Sequence, residues 1–346
     1  MHCFMKAMQI TEITDLKKNS APLKMVDLAT PVPGRNEVLI KVKTCGVCHT
    51  ELDEIEGRTP PPEFPMIPGH QVVGVVEKAG NQVRNVGVGD RVGVAWIYSS
   101  CGECEYCKRG EDNLCEEFRA TGRDVNGGYA EYMIAPGTSV FPIPDTFSDA
   151  EAAPLLCAGA IGYRSLRLTG LTNGQSLGLT GFGASGHFVL KMARTRYPDS
   201  PVYVFARSEK EREFAMELGA VWSGDTTATP PELLHAIIDT TPVWKPVVEA
   251  LKCLTPGGRL VINAIRKEDH DKEVLLSLDY GRHLWMEKEI KSVANVARID
   301  VSECLDLAAK IPLKPDFQEY DFDDANGALI EMKQQKIRGA KVLRIG

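Results

Sequence analysis

The stretch SLGLTGFGASGHFVLKMARTRY, residues 176–197, decides the fold of this chain. Residues 176–180 read as a short strand, and a helical pattern runs from His187 to Tyr197. Between them stands Gly181-Phe182-Gly183-Ala184-Ser185-Gly186, whose glycines allow a tight turn and a close approach of a pyrophosphate to the helix N-terminus. The stretch therefore predicts a dinucleotide-binding unit, although a plain glycine-rich turn has the same composition.

Strands and helices alternate on both sides of this stretch. Residues 149–168 read as a helix, and a strand at 202–206 is followed by a helix at 209–218. The alternation continues to a strand at 259–264, and it indicates a parallel sheet that is covered by helices. We therefore predict a doubly wound α/β domain at residues 151–290.

The flanking sequence is different in character. Residues 1–150 contain short β-rich runs that are separated by glycine and proline, and they predict a mostly β, barrel-like domain. The clearest runs are residues 38–43, 72–76 and 91–95. Residues 291–346 return to short strands with one helix at 301–310, and we expect them to rejoin the first domain. Two domains agree with the length of 346 residues.

The composition limits the partners and the compartment. The formal net charge is −7 and no basic stripe is present, which argues against nucleic acid or an anionic membrane as the partner. No apolar run reaches the ~18 residues of a membrane span, and the N-terminus lacks a signal-peptide pattern. We expect a cytoplasmic protein. Its ten cysteines then indicate metal ligation or catalysis, because cytosolic thiols stay reduced.

Four of these cysteines form one short cluster, Cys101-x2-Cys104-x2-Cys107-x7-Cys115. Four thiolates suit a tetrahedral Zn²⁺, and such a closed shell leaves no position for chemistry. We therefore predict a structural zinc in a lobe at about residues 95–118, where the metal holds a loop with few apolar residues. Surface thiols or disulfides are the alternative interpretation.

A second set of candidate ligands is dispersed: Cys48, His70 and Cys157. Each alone is more often a buried thiol or a hydrogen-bonded histidine than a ligand. Their contexts are Gly46-Val47-Cys48-His49-Thr50, Pro68-Gly69-His70 and Leu156-Cys157-Ala158-Gly159. Together with the four-cysteine lobe, and in this order and spacing, they resemble the zinc-dependent medium-chain alcohol dehydrogenases of the yeast and bacterial type, nearly from end to end.

The resemblance implies a fold, a metal and a reaction. The fold would be a Rossmann doubly wound parallel sheet with a mostly β, GroES-like catalytic domain. Cys48, His70 and Cys157 would hold a catalytic zinc with one open position, a ligand set that is the known one of alcohol dehydrogenases. With the lobe, this implies two Zn²⁺ per chain. The reaction would be hydride transfer between a nicotinamide cofactor and a primary or secondary alcohol, or its aldehyde or ketone.

The residues around Cys48 match further positions of that family. Thr50 matches the hydroxyl that takes the proton from the alcohol, although it could be an ordinary turn residue. His49 matches a cationic position near the cofactor pyrophosphate, and Glu51 matches a carboxylate that orients His70. Trp96, just before the lobe, either narrows the substrate pocket or belongs to the core.

Two positions depart from the family pattern. Gln71 stands after His70 where the family commonly has glutamate, so one negative charge beside the metal is missing. We expect the metal to be more electropositive as a result. Asp53 stands where several relatives have a histidine that ends the proton relay, and its ordinary pKa of ~3.9 is poorly matched to that task at neutral pH.

The cofactor preference follows from an absent acid. The second strand of the dinucleotide domain ends in Ala206-Arg207-Ser208, so no carboxylate is present to bind the ribose 2′-hydroxyl or to repel a 2′-phosphate. Arg207 and Ser208 can contact that phosphate, with Lys210 and Arg212 close by. We predict a preference for NADP(H) over NAD(H); alternatively, Arg207 stacks on adenine and both cofactors bind. The predicted cofactor contacts are His49, Thr180, Gly181, Phe182, Gly183, Ala184, Ser185, Gly186, Ala206, Arg207, Ser208, Lys210 and Arg298.

Several points stay open at this level. The match at Arg298 is loose, and a surface arginine is its alternative. Cys3, Cys45, Cys253 and Cys304 are interpreted as core or surface thiols. The alternatives to the leading function are a zinc-independent enone or quinone reductase of the same fold, and a non-catalytic redox sensor that binds zinc and nucleotide. The family implies a homodimer or homotetramer, with the edge strand of the dinucleotide domain as the expected contact.

Overall fold

The computed structural model describes residues 4–311, 313–334 and 339–346, apart from the side chain of Ala184. Cys3 therefore lies outside the described residues. Contacts between residues divide the chain into two units, one of Met1–Cys157 with Val296–Gly346 and the other of Ala158–Asn295. The sequence placed these boundaries after residues 150 and 290.

The strands of the described chain are named in chain order. They are β1 (Phe4–Ile10), β2 (Leu23–Ala29), β3 (Glu37–Val47), β4 (Val72–Ala79), β5 (Arg91–Val94), β6 (Ile97–Ser99), β7 (Arg119–Ala120), β8 (Tyr132–Pro136), β9 (Val140–Pro142), β10 (Leu177–Thr180), β11 (Val202–Phe205), β12 (Trp222–Gly224), β13 (Leu234–Asp239), β14 (Leu254–Ile262), β15 (Glu289–Ser292), β16 (Phe317–Asp321) and β17 (Ala340–Arg344).

The α-helices are named in the same way. They are α1 (His49–Ile55), α2 (Glu105–Lys108), α3 (Asp149–Ala152), α4 (Ala158–Leu168), α5 (Ala184–Arg196), α6 (Glu209–Glu217), α7 (Lys245–Lys252), α8 (Arg298–Lys310) and α9 (Ala325–Lys333).

The first unit is built around the long central strand β3. β3 pairs antiparallel with β4, β8 and β17, and its side chains Val38, Ile40 and Val42 are buried in the main apolar cluster of the unit. The sheet order is β16-β17-β3-β4-β5-β9. Because β17 pairs with β3, the last segment of the chain completes the sheet that its first segment begins.

The second unit contains one parallel sheet of six strands in the order β12-β11-β10-β13-β14-β15. This is the order of a doubly wound dinucleotide-binding fold, which reverses direction between β10 and β13. All four residues of β10 are buried, as are all four of β11. Such uninterrupted burial is typical of parallel strands that helices cover on both faces.

One predicted helix is broken in the structure. The prediction of a continuous helix over residues 149–168 is wrong, because α3 ends at Ala152, a 3₁₀ turn follows at Ala153–Leu156, and α4 begins only at Ala158. Pro154 lacks the backbone N–H that an α-helix interior needs. Cys157 has φ −127° and ψ −79°, outside the helical region, so its side chain leaves the helical path.

The sequence also missed the helix α9. Its buried residues are Ala325, Ala328, Leu329 and Met332, which recur at the spacing of one helix face. The prediction of a single helix after residue 290 is therefore wrong, although the periodic signal was present. No helix in the described part of the chain is both long and apolar enough to span a lipid bilayer.

Candidate functional site

Three structural elements of the first unit bring Cys48, His70 and Cys157 together. Cys48 follows β3 and caps the N-terminus of α1, His70 lies two residues before β4, and Cys157 occupies the break before α4. Gly69 allows the turn that presents His70, because its φ is +99° and an added Cβ would lie 2.3 Å from the Tyr129 ring. Residues that are 109 positions apart in the chain thus meet at one point.

The distances between these side chains suit one tetrahedral ion. The Sγ atoms of Cys48 and Cys157 are 3.9 Å apart, and Nε2 of His70 is 3.3 Å from Cys157 Sγ. Zinc bound at about 2.3 Å to two sulfurs in tetrahedral geometry separates them by about 3.8 Å. The three ligand atoms form one of two groups in the described residues that could hold a metal.

The protonation of this group also favours a cation. The hydrogen bond from Cys157 lowers the pKa of Cys48 well below its ordinary value against the effect of burial. That same contact, with burial, raises the pKa of Cys157 well above its ordinary value. A negative charge on one of these sulfurs thus disfavours a second thiolate 3.9 Å away. A divalent ion removes that conflict and allows both sulfurs to bind as thiolates.

Glu51 contacts two of the candidate metal ligands. Its Oε1 lies 2.8 Å from Nδ1 of His70, and its Oε2 accepts a hydrogen bond of 2.7 Å from the backbone N–H of Cys48. Burial alone would lower the pKa of His70, but the Glu51 carboxylate and Cys48 raise it well above its ordinary value. Glu51 therefore directs Nε2 of His70 toward the sulfurs, as the resemblance implied.

The other residues of α1 differ in their surroundings. Thr50 Oγ1 lies 3.5 Å from Cys48 Sγ, beside the ligand group, and His49 is exposed at the first position of the helix. The Asp53 carboxylate is buried and forms an ion pair with Arg58. This ion pair gives Asp53 a role in the local structure, and its part in a proton relay stays a prediction.

Gln71 and Trp96 both pack close to the ligand group. Gln71 is buried against Gly46, where an added Cβ would lie 2.6 Å from Gln71 Oε1. The Trp96 ring is in edge contact with the His70 ring, with centroids 6.4 Å apart. Trp96 also packs on Phe118, and the Arg123 guanidinium lies 5.6 Å from its ring centroid.

The four cysteines of the lobe form the second group that could hold a metal ion. Cys101 Sγ and Cys107 Sγ are 3.9 Å apart, and backbone N–H groups donate to the sulfurs of Cys101, Cys104 and Cys115 at 3.3–3.5 Å. Hydrogen bonds from the backbone N–H groups of Glu103 and Cys104 lower the pKa of Cys101 to about 7. The nine described cysteines form no disulfide, which removes the disulfide alternative for the lobe.

The glycine-rich turn of the second unit has the geometry that a pyrophosphate requires. Gly181 has φ +78°, and an added Cβ would lie 2.8 Å from Thr240 Oγ1, so a side chain is excluded there. Gly183 caps α5, and an added Cβ at this position would point into open space. The first backbone N–H groups of α5, from Ala184 to Gly186, lie at the positive end of the helix dipole. The turn therefore fits a bound phosphate.

Two predicted cofactor contacts have their side chains turned inward. Phe182 is 2% exposed, and its ring packs on His187 and Phe214, so only its backbone is available to a ligand. The Thr180 hydroxyl donates a 2.6 Å hydrogen bond to the buried Asp239. Both side chains belong to the interior of the unit, so the predicted cofactor contacts of Thr180 and Phe182 stay a prediction that concerns their backbone groups.

The end of β11 presents cations and no carboxylate. Ala206 is buried and its N–H donates to Gly224 O, whereas Arg207, Ser208 and Lys210 are exposed. Arg212 Nη1 donates to the carbonyl groups of Ala206 and Arg207 at 2.9 Å, which fixes the backbone of this loop. Arg212 thus has a structural task, and Arg207 and Ser208 remain open to solvent.

Arg298 forms its polar contacts with residues of the first unit. Its guanidinium forms an ion pair with the buried Asp112 of the lobe and donates to the hydroxyls of Ser100 and Ser139. These contacts attach α8 to the four-cysteine lobe within the first unit. The charge of Arg298 is compensated by Asp112 in this structure, and its contact with a cofactor stays a prediction.

The sequence analysis missed Glu54, a second buried acid of α1. Glu54 is 1% exposed, and burial together with the charge of Glu51 raises its pKa well above its ordinary value. It lies three residues after Glu51, a spacing that puts both acids on one helix face. The spacing of Glu51 and Glu54 was the available sequence signal. Two acids on one helix face, however, more simply indicate a face that is exposed to solvent. Of the thiols without an assigned role, Cys45, Cys253 and Cys304 are buried.

Comparison with known proteins agrees with this arrangement. Residues 34–145 match the family described as alcohol dehydrogenase GroES-like domain. The probable alcohol dehydrogenase AdhA of Mycobacterium tuberculosis (strain CDC 1551 / Oshkosh) is 40% identical over 332 residues, 94% of each protein. An alcohol dehydrogenase of Geobacillus stearothermophilus is 32% identical over 347 residues, 98% of this chain and 99% of that protein.

A solved structure gives the same result. The cinnamyl alcohol dehydrogenase SbCAD4 of Sorghum bicolor superposes with a TM-score of 0.83 at 25% identity, and the match covers 99% of this chain and 98% of that one. The predicted fold class, a Rossmann sheet with a GroES-like domain, is confirmed. The chain belongs to the medium-chain zinc alcohol dehydrogenase family and is an NAD(P)-dependent alcohol dehydrogenase.

Proposed function

We propose that this cytoplasmic enzyme uses one catalytic Zn²⁺ to transfer a hydride between NADP(H) and a primary or secondary alcohol, or its aldehyde or ketone. A second Zn²⁺ would hold the four-cysteine lobe. The convergence of Cys48, His70 and Cys157 within 4.8 Å carries the proposal, because two thiols and one imidazole form the ligand set of a catalytic site with one open position.

The residues of the site have separate tasks in this proposal. When bound, zinc supplies a Lewis acid that makes the alcohol hydroxyl more acidic. Thr50 Oγ1, beside Cys48 Sγ, accepts the proton that the alcohol loses and passes it outward. Glu51 fixes the orientation of His70, and the exposed His49 is available to a cofactor phosphate.

The metal content tests the core of the proposal. The purified wild-type enzyme should contain about two zinc ions per chain, and Cys157→Ala should contain about one, because it lacks a ligand of the catalytic site only. Its turnover should fall on the order of a thousandfold or more. Elemental analysis and initial rates with simple aldehydes and NADPH measure both.

Cys253→Ala is the matched control, since Cys253 is a buried thiol of the second unit outside both metal groups. It should keep both ions and the activity. A wild-type enzyme with one zinc or none would favour the zinc-independent reductase. Two ions without turnover of any alcohol or aldehyde would favour the redox sensor.

The preference for NADP(H) rests on the end of β11. Arg207 and Ser208 are exposed there, and Arg212 holds the loop through two carbonyl groups. The first acid after the strand is Glu209, which already belongs to α6. A guanidinium binds a phosphate through charge-assisted hydrogen bonds, which a ribose hydroxyl cannot match.

Removal of that guanidinium should therefore affect one cofactor only. For Arg207→Ala, kcat/KM with NADPH should fall about 10- to 100-fold, the range expected for loss of hydrogen bonds to a charged group. The value with NADH, which lacks the 2′-phosphate, should change less than about twofold and is the internal control. Equal kcat/KM of the wild type with both cofactors would contradict the preference.

Gln71 gives the zinc site a less negative surrounding than a glutamate would. Gln71→Glu should raise the pH at which kcat is half-maximal by about one unit, because an added anion beside the metal opposes loss of the alcohol proton. Gln82→Glu makes the same charge change at an exposed position and should leave the profile in place. An unchanged or downward-shifted profile for Gln71→Glu would count against this role.

We also propose that the enzyme is a homodimer or homotetramer that associates through β15. This strand is the edge of the six-stranded sheet, and all four of its residues are exposed. Exposed apolar side chains accompany it, among them Ile290, Trp285 and Tyr280. An open edge with an apolar surface is typical of a site of association.

A charge on that edge should weaken the assembly. Ile290→Lys should shift the mass in light scattering toward the monomer, since a lysine on an edge strand disfavours strand pairing between copies. Ile13→Lys alters a similarly exposed isoleucine of the first unit and should keep the wild-type mass. A monomeric wild type, or an unchanged mass for Ile290→Lys, would contradict the proposed contact.

A further inference from the structure

A buried ion pair lies at the carboxyl ends of the strands in the second unit. Asp239 is the last residue of β13 and is fully buried, and Lys267, in the segment after β14, has a side chain that is 8% exposed. The Lys267 ammonium donates to Asp239 Oδ2 and also to the carbonyl groups of Thr241 and Val243, at 2.7 and 3.0 Å. These three acceptors match the three donors of an ammonium group.

The carboxylate of Asp239 is satisfied from the other side. Its Oδ1 accepts hydrogen bonds from the hydroxyls of Thr180 and Thr241, at 2.6 and 2.8 Å. Burying two charges is costly unless their remaining donors and acceptors are paired, and here the surrounding hydroxyl and carbonyl groups meet that condition. The pair therefore holds three chain segments in one arrangement: the end of β10, residues 240–243 and the segment after β14.

Residues 240–243 lie directly against the glycine-rich turn. The backbone N–H and the hydroxyl of Thr240 both donate to Thr180 O, at 2.9 and 3.1 Å. An added Cβ at Gly181 would lie 2.8 Å from Thr240 Oγ1, so the absence of a side chain at Gly181 also makes room for this loop. The Asp271 carboxylate accepts from the N–H groups of Trp244 and Lys245, which anchors the far end of the loop.

The position of the loop in the sheet indicates its ligand. In a sheet of this order, a dinucleotide lies across the point where the strand order reverses, here between β10 and β13. The half of the sheet that begins with β10 and β11 carries the glycine-rich turn and Arg207, at the adenosine end. The half that begins with β13 and β14 remains for the nicotinamide end.

We propose that Asp239 and Lys267 are positioning residues that hold residues 240–243 in the arrangement needed to bind the nicotinamide half of the cofactor. The inference rests on the nicotinamide cofactor of this enzyme and not on the preference between NADP(H) and NAD(H). Neither side chain touches the reacting atoms in this proposal, because both are buried beneath the loop.

The test compares a whole cofactor with its adenosine half. Loss of Lys267 alone would leave a buried carboxylate without its partner, so the main variant replaces both residues, Asp239→Asn with Lys267→Met. Its Kd for NADPH, from the nicotinamide fluorescence, should rise about tenfold or more, whereas the Kd of 2′,5′-ADP should change less than about twofold. Fragment binding would not be spared if the pair merely stabilised the fold.

Further variants and ligands serve as controls for this comparison. Lys272→Met makes the same substitution five residues along the chain, in an exposed ion pair with Asp269, and should leave both Kd values unchanged. Thr241→Val removes one donor to Asp239 without an uncompensated charge and repeats the comparison if the double variant does not fold. The same comparison of Kd values is made with NADH and AMP, which lack the 2′-phosphate.

An equal loss of affinity for the cofactor and its adenosine half, or no loss for either, would overturn the positioning role. Wild-type enzyme with equal affinity for NADH and NADPH would contradict only the cofactor preference. Wild-type enzyme that bound neither dinucleotide would overturn the proposed function and this inference together.

Discussion

Two half-buried cysteines, whose sulfur atoms lie 3.9 Å apart beside one imidazole, impose the main constraint on the first unit. Two thiolates at this distance repel each other unless a cation lies between them. This repulsion agrees with the opposite shifts, a lowered pKa for Cys48 and a raised pKa for Cys157. The helical path is broken at Cys157, the residue whose sulfur lies 3.9 Å from that of Cys48. Backbone geometry and metal chemistry are thus linked at one residue.

Helix α1 adds a second constraint, since the candidate ligand Cys48 caps its N-terminus and Glu51 lies in its first turn. Glu51 accepts from the N–H of Cys48 and contacts His70, so one carboxylate holds two ligands. Glu54, three residues later, is buried as well. Burial raises the pKa of both carboxyl groups, and Gln71 adds no acid beside the candidate metal ligands.

In the dinucleotide unit, a further constraint on packing lies at the carboxyl ends of the strands. The turn at Gly181 must be open to a phosphate on one side and pack against Thr240 on the other. The ion pair of Asp239 with Lys267 supports that packing from beneath. A buried ion pair costs solvation of both charges, so a role in arranging a loop is a better reason for it than a gain in stability.

The sequence by itself determined the alternation of strands and helices in the dinucleotide unit, the glycine-rich turn and both sets of candidate metal ligands. These depend on local periodicity and on residue types with few other uses. Only the tertiary structure decided the tasks of Thr180, Phe182 and Arg298, whose side chains face inward or pair with Asp112. It also decided the break at Cys157 and the pairing of Asp239 with Lys267. These features depend on contacts between residues far apart in the chain. The direction of a side chain at such a contact cannot be predicted from the periodicity of the sequence.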